Sequence, residues 1–122
     1  MSDEPSDSLC IALTTARTVD EARRLAELLV ERRLAACVNI LPGARSIYRW
    51  KGEIEEAAEA MLTIKTRRSL TSAVHAALRE AHSYDLPEFL IIPITGGGAE
   101  YIAWLQDGLA SESGPRLANP SS

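Results

Sequence analysis

The sequence predicts an α+β fold in which four strands and two helices follow the order β-α-β-β-α-β, with an extra helix at the C-terminal end. Two observations predict this order. Segments that alternate apolar and polar residues are interrupted twice by segments with helical spacing. Two alternating runs in the middle of the chain are separated by only the Lys51-Gly52 pair, which indicates a long hairpin. The result is a ferredoxin-like, or split βαβ, sandwich.

A change of hydrophobic period marks the first strand and the first helix. The run "LCIALTT", residues 9–15, alternates a strongly apolar face with a mixed face, as a strand does. Apolar residues then recur at helical spacing, and Thr18 followed three residues later by Glu21 has the pattern of a capping box. We therefore expect the first helix to run from about Val19 to Arg33.

The two middle strands, residues 36–50 and 53–66, carry different side chains on their two faces. If Lys51-Gly52 forms a two-residue loop, Trp50 faces Glu53 and period two assigns every other residue to a face. The mixed face contains Ser46, Tyr48, Trp50, Glu53, Glu55, Glu59, Met61, Thr63 and Lys65. The apolar face contains Ile47, Ile54, Ala60, Leu62 and Ile64, and we expect it to pack under the helices. Exposed aromatic and charged residues on the mixed face predict that the hairpin is used for oligomerisation.

The second half of the chain supplies a helix, a strand and the last helix. Residues 69–82 have helical spacing, and Ser69 is a candidate N-cap. Residues 89–94, "FLIIPI", form the fourth strand, and Pro93 predicts a sheet edge because proline cannot donate a hydrogen bond to the ladder. Residues 99–109 follow three glycines as a short helix.

Composition predicts one soluble domain with a tail at each end. The sequence has 122 residues, 46% of them hydrophobic, and a net charge of −4, so no basic surface points to nucleic acid. We expect a domain over residues 8–110, a disordered tail over residues 1–7 and a flexible tail over residues 111–122, because these ends contain little that could be buried.

Several partners and compartments are disfavoured by the sequence. The acidic start lacks the pattern of an export signal, and no apolar run approaches the roughly 18 residues of a membrane span, so we expect a cytoplasmic protein without a membrane partner. Cys10 and Cys37 lie in apolar stretches without a CxxC pattern, which indicates reduced, buried thiols. Neither cysteine has a basic partner in the sequence, and we expect no enzymatic activity.

The stretch "HSYDLPE", residues 82–88, contains the residue types of a metal site. His75 and His82 are separated by a helical rise of about 10 Å, so they cannot share one metal ion. His82, Asp85 and Glu88 form the candidate ligand set. The alternative is structural: Pro87 ends the helical pattern, and a histidine at a helix C-terminus is favoured by the helix dipole.

Three motifs in order resemble one known family. "AACVNILPGARSIYRWKGEIE", "LTIKT" and "HSYDLPEFLIIPITGGGAEYIAWL" are similar to the successive signatures of the CutA family, the divalent-cation tolerance proteins. The resemblance extends over about residues 9 to 109. It implies a ferredoxin-like fold assembled as a tight homotrimer through long hairpins. It also implies a cytoplasmic location in bacteria, a link to tolerance of copper and other divalent cations, and no established reaction.

The resemblance also implies where a ligand binds. The family's characteristic positions gather near clefts between subunits, and in this chain they are Tyr48, Trp50, Glu59, Lys65, His82, Tyr84, Glu88, Tyr101 and Trp104. This chain departs from the family in two features. His-Pro-Tyr-Glu is replaced by His82-Ser83-Tyr84-Asp85, and a cysteine found in some members near the end of strand one is replaced by Thr14. Without that thiolate, the resemblance implies copper or another divalent cation held by His82 and carboxylates, and no organic cofactor.

Three classes of function follow from the sequence and the resemblance. The first is a trimeric metal-responsive binding protein. The second is a signalling trimer that senses small ligands, like the PII proteins, and the third is an unrecognised enzyme that uses the cleft between subunits. PII-like proteins carry a long loop between the middle strands where this chain has only Lys51-Gly52, so the first class is preferred. An unknown small-molecule or protein partner is compatible with each.

Overall fold

A computed structural model describes residues 8–111 as an antiparallel sheet of four strands with two helices on one face and a third helix at one end of the other. The strand order is β2-β3-β1-β4. The elements are β1 Leu9–Ala16, α1 Val19–Glu31, β2 Cys37–Trp50, β3 Glu53–Arg67, α2 Thr71–Ala81, β4 Leu90–Pro93 and α3 Ala99–Asp107. The predicted ferredoxin-like order with a long hairpin and a C-terminal helix is therefore confirmed, and β4 is an edge strand as Pro93 predicts.

The ends of the helices depend on local hydrogen bonds and backbone conformation. The Thr18 hydroxyl accepts a hydrogen bond of 3.0 Å from the Glu21 N–H, which starts α1 as predicted. The helix ends at Glu31, two residues before the predicted end, because Arg33 adopts a left-handed φ of 59° that cannot continue it. The predicted cap at Ser69 is wrong: Leu70 occupies the cap position of α2, after a short 3₁₀ turn.

The core lies between the sheet and the two helices α1 and α2. Its fully buried side chains come from alternate residues of β1 and β3 and from one face of each helix, because these are the positions that the sheet and helix periods bring together. The main members are Ala12, Ala16, Leu25, Leu29, Ala60, Leu62, Ile64, Val74 and Leu78. The prediction that Ala60, Leu62 and Ile64 pack under the helices is confirmed. A second cluster, Leu9, Leu70, Leu105 and Leu109, fixes α3 against the sheet.

The hairpin of β2 and β3 extends beyond this core. Trp50 pairs with Glu53, so the two-residue turn and its register are as predicted. β1 pairs with β3 only from Ala60 onwards, so within the described part of the chain the first part of β3 is paired with β2 alone. Ile47 and Ile54 are 69% and 64% exposed, so the expectation that they pack under the helices is wrong. The helices cover only the part of the sheet that β1 also supports.

Two further predictions concern the ends of the chain and membranes. The predicted tails, residues 1–7 and 111–122, lie outside the described residues apart from Ser111. Across residues 8–111, every helix is too short or too polar to cross a lipid bilayer.

The position of Leu29 in the core leads to a first prediction. Its side chain is fully buried, so Leu29→Ala removes apolar contacts and leaves a cavity. We expect the free energy of unfolding to fall by about 2–5 kcal/mol, measured by urea denaturation. Arg24→Ala, on the exposed face of the same helix, is the matched control and should change it by less than about 0.5 kcal/mol. Equal losses in the two variants would contradict the assigned core.

Candidate functional site

A carboxylate with three hydroxyl groups around it lies where the hairpin leaves the sheet. Glu59 of β3 accepts hydrogen bonds from the hydroxyls of Ser46 at 2.5 Å, Tyr84 at 2.7 Å and Thr15 at 3.4 Å. We call these four residues the Glu59 cluster. Thr15 is buried and the other three are half-buried, so the cluster is partly screened from water. Strand alternation places Glu59 on the face opposite the main core, and β2 brings Ser46 next to it.

The turn after α2, His82 to Tyr84, brings the tyrosine to this cluster. The His82 side chain is fully buried and both of its ring nitrogens have partners. Nε2 lies 2.6 Å from the Thr15 carbonyl oxygen, and Nδ1 lies 3.0 Å from the Tyr84 backbone nitrogen. A carbonyl can only accept and an N–H can only donate, so Nε2 carries the hydrogen and Nδ1 carries the lone pair. The ring is thus engaged in structure on both sides.

Glu21, at the start of α1, is a buried carboxylate that holds the same turn. Only 6% of the residue is exposed. Its oxygens accept hydrogen bonds from the Ser83 N–H at 2.7 Å, the Ser83 hydroxyl at 3.0 Å and the Arg17 N–H at 3.1 Å. Burial raises the pKa of the Glu21 carboxyl, but the hydrogen bonds from Ser83 and Arg17 lower it by a larger amount. The pKa of the carboxyl therefore lies below its ordinary value. The carboxylate is charged at neutral pH.

Tyr84 is held as a hydrogen-bond donor. Burial, the hydrogen bond to Glu59 and the charge of that carboxylate raise the pKa of the Tyr84 phenol to about 12. The Arg17 guanidinium lies 5.0 Å from the centre of the Tyr84 ring, a cation–π contact, and the His82 ring lies 4.8 Å away on a tilted plane. These contacts fix the ring, and the protonated hydroxyl points at Glu59.

The predicted metal ligands are not gathered in one place within the chain. Asp85 is exposed and Glu88 is half-buried, while the His82 ring is buried beneath the turn. Residues 8–111 contain no group of three or more His, Cys, Asp or Glu side chains close enough to hold one metal ion. His75 stacks on Phe89 with ring centres 4.4 Å apart and is separate from His82.

The predicted cleft residues form three separate groups in the folded chain. Glu59 and Tyr84 contact each other in the Glu59 cluster. Lys65 lies next to Tyr101, with the ammonium 3.2 Å from the hydroxyl and 5.4 Å from the ring centre, and Tyr101 stacks on Trp104. The third group, Tyr48 and Trp50, lies near the hairpin tip, 44% and 56% exposed. One chain therefore brings together only part of the set.

The sequence prediction omits two residues that build the site. Glu21 is recognised only as the third helical residue of a capping box, which normally returns its carboxylate to the cap residue. Here the carboxylate reaches Ser83, 62 positions along the chain. Thr15 is predicted only as part of a strand, although its hydroxyl contacts Glu59 and its carbonyl accepts from His82. No local sequence signal distinguishes either role.

The same arrangement of elements and motifs identifies the family. The sequence profile described as "CutA1 divalent ion tolerance protein" matches residues 10–108. The chain belongs to this family. A CutA relative from Pectobacterium atrosepticum, "Divalent-cation tolerance protein CutA", is 44% identical over 109 residues, which cover 89% of this chain and 99% of the relative. The CutA resemblance predicted from the sequence is confirmed.

Solved structures of the CutA1 family have the same fold as this chain. The structure "Divalent cation tolerance protein (Cut A1)" from Thermus thermophilus has a TM-score of 0.81 and 40% identity, covering 84% of this chain and 99% of that one. The "Periplasmic divalent cation tolerance protein CutA" from Archaeoglobus fulgidus has a TM-score of 0.79 and 37% identity, covering 82% and 97%. The fold and the family description, divalent-cation tolerance, therefore apply to this chain.

The lowered pKa of Glu21 leads to a second prediction. The folded state favours the carboxylate, so its stabilisation is complete above the ordinary pKa and is lost as the pH falls through the lowered folded value. We expect the free energy of unfolding of the native chain to fall more steeply between about pH 5 and pH 3 than that of Glu21→Gln, which has no carboxyl to protonate. Urea denaturation at each pH measures both slopes.

The control for this prediction is the neighbouring carboxylate of the same helical turn. Asp20 is exposed, so Asp20→Asn removes a charge near the helix start without touching Ser83. In Asp20→Asn, the free energy of unfolding should fall with decreasing pH about as steeply as in the native chain. His82, whose Nδ1 lies 3.6 Å from a Glu21 oxygen, is present in all three proteins. Parallel slopes for the native chain and Glu21→Gln would contradict the prediction.

Proposed function

We propose that the chain acts in divalent-cation tolerance as a homotrimeric binding protein, and that it holds a divalent cation weakly through the oxygen atoms of the Glu59 cluster. The observation that supports this is one half-buried carboxylate with three hydroxyl oxygens within 3.4 Å. Charged carboxylates and neutral oxygen groups are the ligands that hard divalent cations prefer. A single negative charge makes the binding weak, because affinity depends on the charge of the ligand set.

A cation on His82 is less well supported than one on Glu59. A metal ion needs a lone pair, and the Nδ1 lone pair accepts the Tyr84 N–H while Nε2–H bonds the Thr15 carbonyl. Metal binding by this ring would leave a buried backbone group without its partner, which costs about 1–3 kcal/mol. Copper held by His82 with Asp85 and Glu88 stays a prediction, and the same experiment tests it.

The homotrimer is supported by apolar surface that one chain leaves uncovered. The hairpin beyond β1 is a two-stranded ribbon, and such ribbons are at best marginally stable alone in water. It exposes Ile47, Ile54 and Trp50, each by more than half, and the edge strand β4 exposes Leu90, Ile91 and Ile92. A patch of this kind marks an interface between proteins. The number of three subunits follows from the family resemblance.

We further propose that the role is one of binding, without catalysis or an organic cofactor, and that the protein is cytoplasmic. The relative from Archaeoglobus fulgidus, by contrast, is named periplasmic. The turn of two residues between β2 and β3 supports a metal-responsive protein over a PII-like sensor. A small-molecule or protein partner acting at the cleft would be detected by the titrations below.

The proposed cation site gives a third prediction. Isothermal titration calorimetry with Cu(II), Zn(II) or ATP should give a heat of binding with at least one metal ion. Glu59→Gln, which keeps the shape and removes the charge, should weaken that binding at least tenfold, a loss of about 1.4 kcal/mol. Glu27→Gln, which removes an exposed carboxylate on α1, should leave it unchanged.

Each alternative has its own outcome in these titrations. Loss of metal heat in a folded His82→Ala but not in Glu59→Gln would place the cation on the histidine. Heat with ATP alone would favour the PII-like class. A native chain that gives no heat with either metal ion would reject direct cation binding.

The uncovered hairpin gives a fourth prediction. Light scattering at micromolar concentration should give three times the 13.3 kDa mass of the chain. Ile54→Glu places a charge on the exposed ribbon and should shift the mass towards that of one chain, because burying an unpaired charge in an interface is costly. Arg24→Glu, on the exposed face of α1, should leave the mass unchanged. A native mass of 13.3 kDa would exclude the trimer.

A further inference from the structure

Each residue of the turn from His82 to Tyr84 is hydrogen-bonded to a different element of the fold. His82 bonds the Thr15 carbonyl at the end of β1. Ser83 bonds the Glu21 carboxylate in α1 through both its N–H and its hydroxyl. Tyr84 bonds the Glu59 carboxylate in β3. The middle of the turn is therefore held by a buried charge that does not itself belong to the Glu59 cluster.

The Glu21 carboxylate accepts one hydrogen bond from the start of its own helix, from the Arg17 N–H, and two from the distant Ser83. Helix α1 is already capped by the Thr18 hydroxyl, and an exposed carboxylate in the first turn would serve the helix dipole equally well. Instead the Glu21 carboxylate is buried, and burying a charge is unfavourable unless several donors surround it. Three donors do so, two of them from Ser83. The cost of burial is offset only when Ser83 is in place, so the two residues fix each other.

We infer that Glu21 is a positioning residue for the Glu59 cluster: by holding Ser83 it places the Tyr84 hydroxyl on the Glu59 carboxylate. The Tyr84 N–H is bonded to the His82 ring, so the backbone on both sides of Ser83 has little freedom once the two Glu21 bonds are made. Charge-assisted bonds of this kind are stronger than those between neutral groups. The consequence for cation binding rests on the proposed function, whereas the positioning itself does not.

Ser83 provides a way to test the pair specifically. Ser83→Pro removes both donors to Glu21, the N–H and the hydroxyl, and restores the residue that the CutA family resemblance implies at this position. His82 has φ −78° and ψ 146°, an extended conformation that a following proline accepts. In that background the Glu21 carboxylate loses its partners in the turn. The effect of Glu21→Gln should then disappear if it acts through Ser83, and should persist if Glu21 matters for another reason.

The first measurement is amide hydrogen exchange of Tyr84 by NMR in the native chain, Glu21→Gln, Ser83→Pro and the double variant. Glu21→Gln should speed exchange of the Tyr84 amide at least tenfold, from the loss of charge-assisted bonds, while the core amides of Leu62 and Ile64 stay protected. When Glu21→Gln is added to Ser83→Pro, the exchange rate of the Tyr84 amide should change less than about threefold, because Ser83→Pro has already removed the hydrogen bonds between residue 83 and Glu21. Asp20→Asn is the matched control and should leave the exchange unchanged.

A more conservative variant keeps the test decisive if Glu21→Gln folds poorly. Ser83→Ala removes one of the two bonds and retains the N–H, so its effect on Tyr84 exchange should lie between those of the native chain and Glu21→Gln. The inference is overturned if Glu21→Gln acts equally in both backgrounds, speeds the core amides as much as Tyr84, or leaves Tyr84 unchanged. It is also overturned if Ser83→Ala leaves Tyr84 exchange at the native rate.

The second measurement separates positioning from the proposed function. Titration with Zn(II) should show weaker binding in Glu21→Gln than in Asp20→Asn, although neither carboxylate belongs to the Glu59 cluster. If the native chain binds no Zn(II) or Cu(II), the cation proposal fails while the exchange experiment still decides the role of Glu21. If the native chain binds Zn(II) and Glu21→Gln binds it equally well, the link from Ser83 to the cluster is wrong even though the cation proposal stands.

Discussion

The structure depends on a difference in strand length: β3 has 15 residues, whereas its neighbour β1 has only 8 and can pair with only part of it. β1 supports β3 only from Ala60 onwards, and there the alternation of β3 supplies the core under the helices. Before that point, β2 is the one strand among residues 8–111 that pairs with β3. Glu59 is the last residue before the support begins, so its carboxylate lies at the base of the ribbon, where side chains from β1, β2 and the turn after α2 can all reach it.

Polar contacts at this base connect the ribbon to the rest of the fold. Glu59 connects the hairpin to β1 through Thr15 and to the end of α2 through Tyr84. Glu21 then connects that end of α2 to the start of α1. Buried networks of this type stabilise a structure only when every member has its partners, because an unpaired charge in the same place would be unfavourable. The two carboxylates therefore connect the base of the hairpin to the turn after α2, and that turn to the start of α1.

The sequence predicts the parts of the fold that depend on short-range patterns. The strands, the helices, the two-residue turn and the edge position of Pro93 follow from period, capping and proline chemistry, all of which act within a few residues. The errors have different physical causes. The helix end at Glu31 depends on a left-handed conformation at Arg33 that is unfavourable for a residue with a side chain, and no local signal predicts it. Ile47 and Ile54 lie on the face of the hairpin that was predicted. They are exposed because the helices do not extend far enough to cover that part of the face.

Less of the candidate site than of the fold could be predicted from the sequence, because its contacts join residues far apart in the chain. The resemblance to CutA proteins names Glu59 and Tyr84, yet it does not give the contacts that bring them together, which join residues 25 positions apart. From the sequence, His82 is a residue type that can bind a metal ion. In the fold, its Nε2–H donates to the Thr15 carbonyl and its Nδ1 accepts from the Tyr84 N–H. Residue type determines which bonds a histidine can make, but the partners that occupy its nitrogens determine whether a lone pair is left for a metal ion. In this chain the turn uses both nitrogens of the buried His82 ring, so its lone pair is already engaged with the Tyr84 N–H.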